Sequence, residues 1–312
     1  MRNTFVDTLF EEAAIDPNIY LITGDLGFGV LTKFWEIYPD RFINAGISEQ
    51  NMASVAAGLA LEGKNVFIYS IGNFPTLRCI EQIRNCIAYH KANVTVVAVG
   101  GGFAYGALGM THHATEDIAI MRALPEFTIF TPCDPEETRQ VTKLARKIVG
   151  PSYIRLGRGG EKNLHSNSID VQIGKANLLK DGKDTAIFVS GAIANEALIA
   201  ANMLEKEDIS CSVYSFPTVK PIDKEIILEI AKNIEQIYTL EEHNIIGGFG
   251  SAVSEIIAES GSSVKIKRIG LQDVFTSMVG SQSYLRNYYG MSGVKIFDLI
   301  RNNKCNHRYL IT

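Results

Sequence analysis

Short apolar runs alternate with helix-length amphipathic stretches along most of this chain, and that alternation leaves few architectures open. Ile19-Tyr-Leu-Ile-Thr23, Phe42-Ile43, Asn65–Ser70, Val94–Val99 and Phe127–Thr131 read as buried strands. Between them, helical spacing fits 4–15, 30–37, the Ala-rich run through Ala60, 75–89, 116–124 and 134–148. A second series has strands at 185–190, 210–215, 236–241 and 264–269, with helices at 193–206, 223–233, 250–259 and 292–302. Such a series requires a mainly parallel sheet covered on both faces, with ligands gathering beyond the carboxyl ends of the strands. Residues 157–172 follow neither period and are rich in Gly, Ser and Asn, as linkers are. The expectation is an α/β chain of two domains: the first over 1–160, a linker over 161–174, and a smaller second domain over 175–312. A length of 312 residues gives each its own core.

Composition narrows the partners. The chain is 46% hydrophobic and 21% charged with a net charge of −4, and no basic stripe invites nucleic acid or an anionic membrane. No apolar run reaches the roughly 18–20 residues that span a bilayer, and Met1–Glu12 has no signal-peptide core. Five cysteines (Cys79, Cys86, Cys133, Cys211, Cys305), odd in number and without CxxC spacing, suit reduced thiols in the cytoplasm.

Three stretches carry candidate chemistry. In Arg41-Phe-Ile-Asn-Ala-Gly-Ile-Ser-Glu49-Gln-Asn-Met52 a strand signal runs into a helix with a glutamate in its first turn. On the residues alone, Glu49 either complements the helix dipole, worth roughly 0.3–1 kcal/mol, or is a desolvated acid. Its small, apolar sequence neighbours lead us to expect a pKa raised from about 4.3. Ser70-Ile-Gly-Asn-Phe74-Pro-Thr-Leu-Arg78 follows a strand and opens a helix. The glycine-rich Gly100-Gly-Gly-Phe-Ala-Tyr105-Gly-Ala-Leu-Gly109-Met-Thr-His112-His113 lets backbone approach a ligand, but lacks the GK[ST] ending of a phosphate-cradling P-loop.

Gly46-Ile-Ser-Glu-Gln-Asn-Met52, followed by Ala56-Ala-Gly-Leu-Ala-Leu-Glu-Gly63, resembles the pyrimidine-domain signature of transketolases and 1-deoxyxylulose-phosphate synthases. The resemblance implies that Glu49 activates thiamine diphosphate by sharing a proton with a pyrimidine ring nitrogen. It places Phe74 as the aromatic packed on that ring, with Arg78 and Asp25 near the cofactor. Thr111-His112-His113 is similar to the family's Thr-His pair, so His112 is the residue expected to act on the substrate carbonyl oxygen, with His113 in support. Arg158, in Ser152-Tyr-Ile-Arg-Leu-Gly-Arg158, matches a phosphate-binding arginine, and Arg2 lies where a second often falls. Leu108 departs from the pattern, because transketolases commonly carry there an aspartate that reads a sugar hydroxyl. Glu241-Glu-His243, followed by Gly247-Gly-Phe-Gly250, resembles the second domain's marker, in which His243 reads as structural.

The family's Gly-Asp-Gly motif and downstream Asn, which hold Mg²⁺ and the cofactor's diphosphate, are not found, since Gly24-Asp25-Leu26 breaks the motif. No metal-ligating set is expected in this chain. The resemblance therefore implies the C-terminal subunit of a split transketolase, completed by an N-terminal subunit in a heterotetramer, with a homodimer of this chain possible alone. It would move a two-carbon ketol unit between sugar-phosphate or nucleotide-sugar substrates. The β subunit of a 2-oxo-acid dehydrogenase, a pyruvate-condensing synthase and a non-catalytic interaction subunit are the alternatives.

Overall fold

A computed structural model describes residues 1–165 and 168–308. Its first half runs α1 (Arg2–Ile15), β1 (Ile19–Thr23), α2 (Thr32–Ile37), β2 (Phe42–Asn44), α3 (Glu49–Leu61) and β3 (Asn65–Ile71). It continues through α4 (Ile80–Gln82), β4 (Val94–Val99), α5 (Asp117–Ala123), β5 (Thr128–Phe130), α6 (Pro135–Lys147) and β6 (Ser152–Leu156). The second half runs β7 (Asn177–Lys180), β8 (Thr185–Ser190), α7 (Ala194–Glu205), β9 (Cys211–Ser215), β10 (Thr218–Lys220) and α8 (Lys224–Asn233). β11 (Gln236–Asn244), α9 (Phe249–Ser260), β12 (Lys265–Leu271), α10 (Gln282–Tyr288) and α11 (Gly293–Arg308) follow.

Two sheets result, ordered β10-β5-β6-β4-β3-β1-β2 and β12-β11-β8-β9-β7. Every pairing is parallel except the edge pairs β10–β5 and β7–β9. β4 and β8 are buried at every position, as strands covered by helices on both faces must be. β10 comes from the second half of the sequence yet closes the first sheet, with Thr218 opposite Phe130. The two halves are thereby stitched together at an edge.

Local rules explain the ends of α6. Asp134 caps α6 by accepting from the Glu137 N–H at 2.8 Å, Pro135 opens it, and Arg146 and Lys147 face its dipole at the far end. One expected helix does not form as such. Residues 75–89 fold instead as a 3₁₀ turn (Leu77–Cys79), the single turn α4, and a π turn (Ile83–Ala88). Cys79, Ile83 and Ile87 recur every four residues and are all fully buried. A widened turn keeps that spacing on the core side better than a regular α-helix does. β7, β10 and α10 were not anticipated; they are short, and edge strands of three or four residues leave little periodic signal. Cys79, Cys86, Cys133 and Cys211 are free thiols, while the Cys305 side chain lies outside the described residues. Among the described residues no helix is long and apolar enough to cross a membrane.

A buried ion pair sits where the halves meet. Arg155, on β6, donates from Nε to Asp117 Oδ2 at 2.8 Å, and from Nη2 to the carbonyls of Ala114 at 2.8 Å and Glu242 at 3.0 Å. Burial alone would raise the Asp117 carboxyl, but the Arg155 charge, His243 and the Tyr153 hydroxyl outweigh it and hold the pKa below its ordinary value. A carboxyl depressed in this way contributes stability above its unfolded-state pKa, and that contribution is lost as the pH falls through the lower folded value. Replacing Arg155 with Met strands the carboxylate. We expect it to cost about 3–5 kcal/mol at neutral pH, read as a lowered urea midpoint; a shift under about 1 kcal/mol would show that Asp117 finds other compensation.

Candidate active site

The carboxyl ends of β1, β3 and β4 open onto one face, and the candidate residues collect there. Glu49 opens α3 with its side chain 2% exposed. It does not sit among apolar groups alone, as its sequence neighbours led us to expect. Arg78 Nη1 donates to its Oε2 at 2.8 Å, brought there by the distorted segment after β3. The other oxygen, Oε1, faces Gly24, where an added Cβ would stand 3.4 Å away. Burial, and after it the charge of Glu49, push the neighbouring Cys79 thiol up to about 12, so it is an inert core group.

From Glu49 a continuous chain of contacts crosses the face. The Arg78 guanidinium lies 4.5 Å from the Phe74 ring centroid, and Phe74 meets His112 edge-on at 5.3 Å. His112 stands 6.5 Å from Tyr105, over which the Arg158 guanidinium sits at 5.4 Å. Glu49, Arg78, Phe74, His112 and Arg158 are thus brought together. Tyr105 joins them although no motif assigned it a role; an aromatic in a glycine-rich run was the signal to hand. Arg2 lies near enough to act on Tyr69, whose hydroxyl pKa is raised first of all by burial, with Arg2 opposing and Tyr105 adding to the rise.

The remaining candidates separate. Asp25 is exposed, in a left-handed turn with φ 56°, and pairs reciprocally with Asn44, whose amide donates to Asp25 Oδ1 at 3.0 Å. Asn44 Oδ1 also accepts from the Gly46 N–H at 3.0 Å, tying Asp25 to the turn that leads into Glu49. Leu108 is 56% exposed at the rim of the loop. His113 is buried with both ring nitrogens engaged. Nε2 donates to the Gly106 carbonyl at 3.1 Å, and Nδ1 accepts from the Thr276 hydroxyl at 2.6 Å. It fastens the loop to the second half of the chain and presents no nitrogen to a ligand. His243 is likewise enclosed, its Nδ1 on the Asn244 carbonyl at 2.6 Å and its Nε2 accepting from the Ala119 N–H at 3.3 Å.

This arrangement suits a flat, proton-sharing ring held between an acid and an aromatic. Among the described residues only one group of three metal-ligating side chains forms, Cys133, Glu137 and His165, and it mixes sulfur, nitrogen and oxygen.

The transketolase pyrimidine-binding domain family matches residues 1–160, and the transketolase C-terminal domain family matches 174–296. The chain belongs to the transketolase family. A putative transketolase C-terminal section from Methanocaldococcus jannaschii is 40% identical over 299 residues, spanning 95% of this chain and 93% of that protein. One subunit of an apulose-4-phosphate transketolase, from Phocaeicola vulgatus, is 38% identical over 274 residues, spanning 87% of each. A split-gene transketolase solved as an inactive β4 tetramer superposes with a TM-score of 0.89 at 37% identity, covering 96% of this chain and 97% of that one. The chain is accordingly a subunit of a two-subunit, transketolase-like transferase, in a family that uses thiamine diphosphate.

The loop of this transketolase subunit depends on Gly100. Its φ is +86°, and a Cβ there would lie 2.1 Å from the Tyr105 ring. Gly100→Ala is expected to lower stability by about 1–3 kcal/mol, read by urea denaturation. Adding Tyr105→Ala should return part of that loss; strict additivity of the two changes would show that they do not meet.

Proposed function

We propose that this chain forms the pyrimidine-facing half of a thiamine-diphosphate site whose diphosphate and Mg²⁺ are held by a partner subunit. The observation that carries the reading is the run of contacts from buried Glu49 through Arg78 and Phe74 to His112 on one open face. When bound, thiamine diphosphate supplies the nucleophilic carbon and electron sink that ketol transfer needs.

The residues of this chain then divide the work. Glu49 Oε1, beside Gly24, holds the proton shared with the pyrimidine ring. Phe74 offers its ring as a stacking surface, worth about 0.5–1.5 kcal/mol beyond burial. Arg78 sets the charge beside Glu49. His112, half-buried and hydrogen-bonded through Nδ1 to Thr111 Oγ1 at 3.0 Å, binds the substrate oxygen and moves its proton. Arg158 and Arg2 anchor a sugar phosphate, and Asp25 shapes the approach to Glu49 through Asn44. Exposed apolar side chains around this face (Phe28, Trp35, Ile47 and Phe275) support its burial against other subunits. The assembly we infer is a heterotetramer of two copies of each subunit. Alone, the chain would associate with itself and be inactive, as the split-gene β4 tetramer is. Free thiols at four described cysteines suit a cytoplasmic enzyme.

Reconstitution with the subunit that binds the diphosphate, in Mg²⁺ and thiamine diphosphate, tests this reading. Ketol transfer is expected from the pair and not from this chain alone. Glu49→Gln should lower kcat of the pair by about 10²–10⁴-fold while leaving assembly intact. Full activity in that variant would make this a non-catalytic interaction subunit instead.

Leu108 shapes the choice of donor. It places an exposed alkyl group where a carboxylate could accept from a sugar hydroxyl. Leu108→Asp is expected to raise kcat/KM for xylulose 5-phosphate roughly 10-fold, the size of one added hydrogen bond; no gain would mean that this position does not face the donor.

A further inference from the structure

Away from the proposed active site, a small polar cluster is buried where β5, α6 and the linker meet. Asp134 and Glu137 are both fully buried at the start of α6, and Cys133 precedes them. His165, in the linker, has a side chain only 8% exposed. Its Nδ1 lies 2.9 Å from Asp134 Oδ2, and since an ionised carboxylate only accepts, Nδ1 carries the hydrogen. Nε2 points into the cluster with no hydrogen-bond partner, 3.9 Å from Glu137 Oε1. The Cys133 sulfur, the Glu137 carboxylate and the His165 nitrogen all lie within 4.8 Å of one another.

Two buried carboxylates here share one imidazole. Among the described residues, His165 is the only basic side chain within 4 Å of these two carboxylates. Glu137 is shielded by hydrogen bonds from Asn177 at 2.9 Å, Ser215 at 3.0 Å and the Cys133 N–H at 2.7 Å. A dication at the unpartnered His165 nitrogen would give that atom a partner and sit against the Glu137 carboxylate. Thiolate, imidazole and carboxylate are together the donor set that zinc prefers.

We infer that Cys133, Glu137 and His165 form a zinc site that fastens the linker to the first domain. Asp134 is its outer carboxylate, fixing the tautomer and direction of the imidazole. Tetrahedral zinc holds its donor atoms about 3.5 Å apart, so the cluster has to contract by roughly an ångström. Linker atoms already pinned to Asp134, through the Leu164 and His165 N–H groups at 2.9 and 3.1 Å, need move no further than that. Cys133 and Leu164 line a cavity of 210 Å³ that approaches the cluster from the sulfur side, and a water arriving there would complete a four-coordinate shell. The site lies outside the chain of residues proposed for catalysis and owes nothing to the cofactor.

Metal binding to the full chain tests the assignment without any activity measurement. Equilibrium dialysis against micromolar Zn²⁺ should leave about one equivalent bound, and Co²⁺ substitution should give a thiolate-to-cobalt charge-transfer band. Cys133→Ser is expected to abolish the band, and Asp134→Asn to weaken affinity about 10–100-fold. Cys86→Ser, at a thiol outside the cluster, should change neither. If Cys133→Ser does not fold, His165→Gln carries the test from the linker side and should lose the metal. A chain that retains no zinc, or a cobalt band that survives Cys133→Ser or His165→Gln, overturns the assignment.

Discussion

The pairing of Arg155 with Asp117 holds the two halves of this subunit in register. A buried ion pair adds little net stability, because desolvating both charges offsets their attraction. Its effect here is placement. The guanidinium spends its other donors on the carbonyls of Ala114 and Glu242, one from each half of the chain. Ala114 in turn forms an antiparallel bridge with Gly102, donating to its carbonyl at 3.1 Å and accepting from its N–H at 2.8 Å. That bridge closes the base of the loop from which Tyr105, Leu108 and His112 project. Arg155 therefore fixes where the loop starts and ends without touching its tip.

The second half of the chain completes the clamp. Glu242 accepts from the Phe103 N–H at 2.7 Å and is balanced by Arg286, whose Nε donates at 2.9 Å. Gly102 has no room for a side chain, since a Cβ would meet Glu242 at 2.5 Å. His113 ties Gly106 to Thr276. The marker residues of the second domain thus act on the candidate site at a distance, by holding the backbone that carries it. This accounts for a glutamate pair and a histidine that are buried at the seam and contact none of the residues lining the open face.

Much of this was readable in the residues. The strand and helix periods gave the two-domain α/β plan, and the run around Glu49 resembled a family signature closely enough to pick out Phe74, Arg78, His112 and Arg158, which do lie together. What escaped reading depends on contacts far apart in sequence. Arg155 was given no role beside Arg158, since its partner lies 38 positions away in the chain. The broken helix after β3 follows from core positions spaced every four residues, which a helical period cannot distinguish from every 3.6 over so short a run. The Cys133–Glu137–His165 cluster has no ligand spacing to recognise, because one of its members arrives by way of the linker.

The environment of Glu49 shows why residue type and local sequence were not enough. Its sequence neighbours are small and apolar, which suggested an isolated, desolvated acid. The fold instead brings Arg78 back across the face, so the carboxylate has a charged partner while its second oxygen is left beside Gly24. Arg78 is 45% exposed and also rests on Phe74, so it can yield its place on the ring without leaving the carboxylate uncompensated. A ligand ring that approaches Glu49 from the Gly24 side and Phe74 from the open face would not have to break the ion pair. It would bury that pair, and a guanidinium now half in water would become a strong local charge beside the Glu49 carboxylate. On the reading proposed above, Arg78 is the charged partner that Glu49 keeps when a ring docks, and a subunit covering the face would exclude water from both.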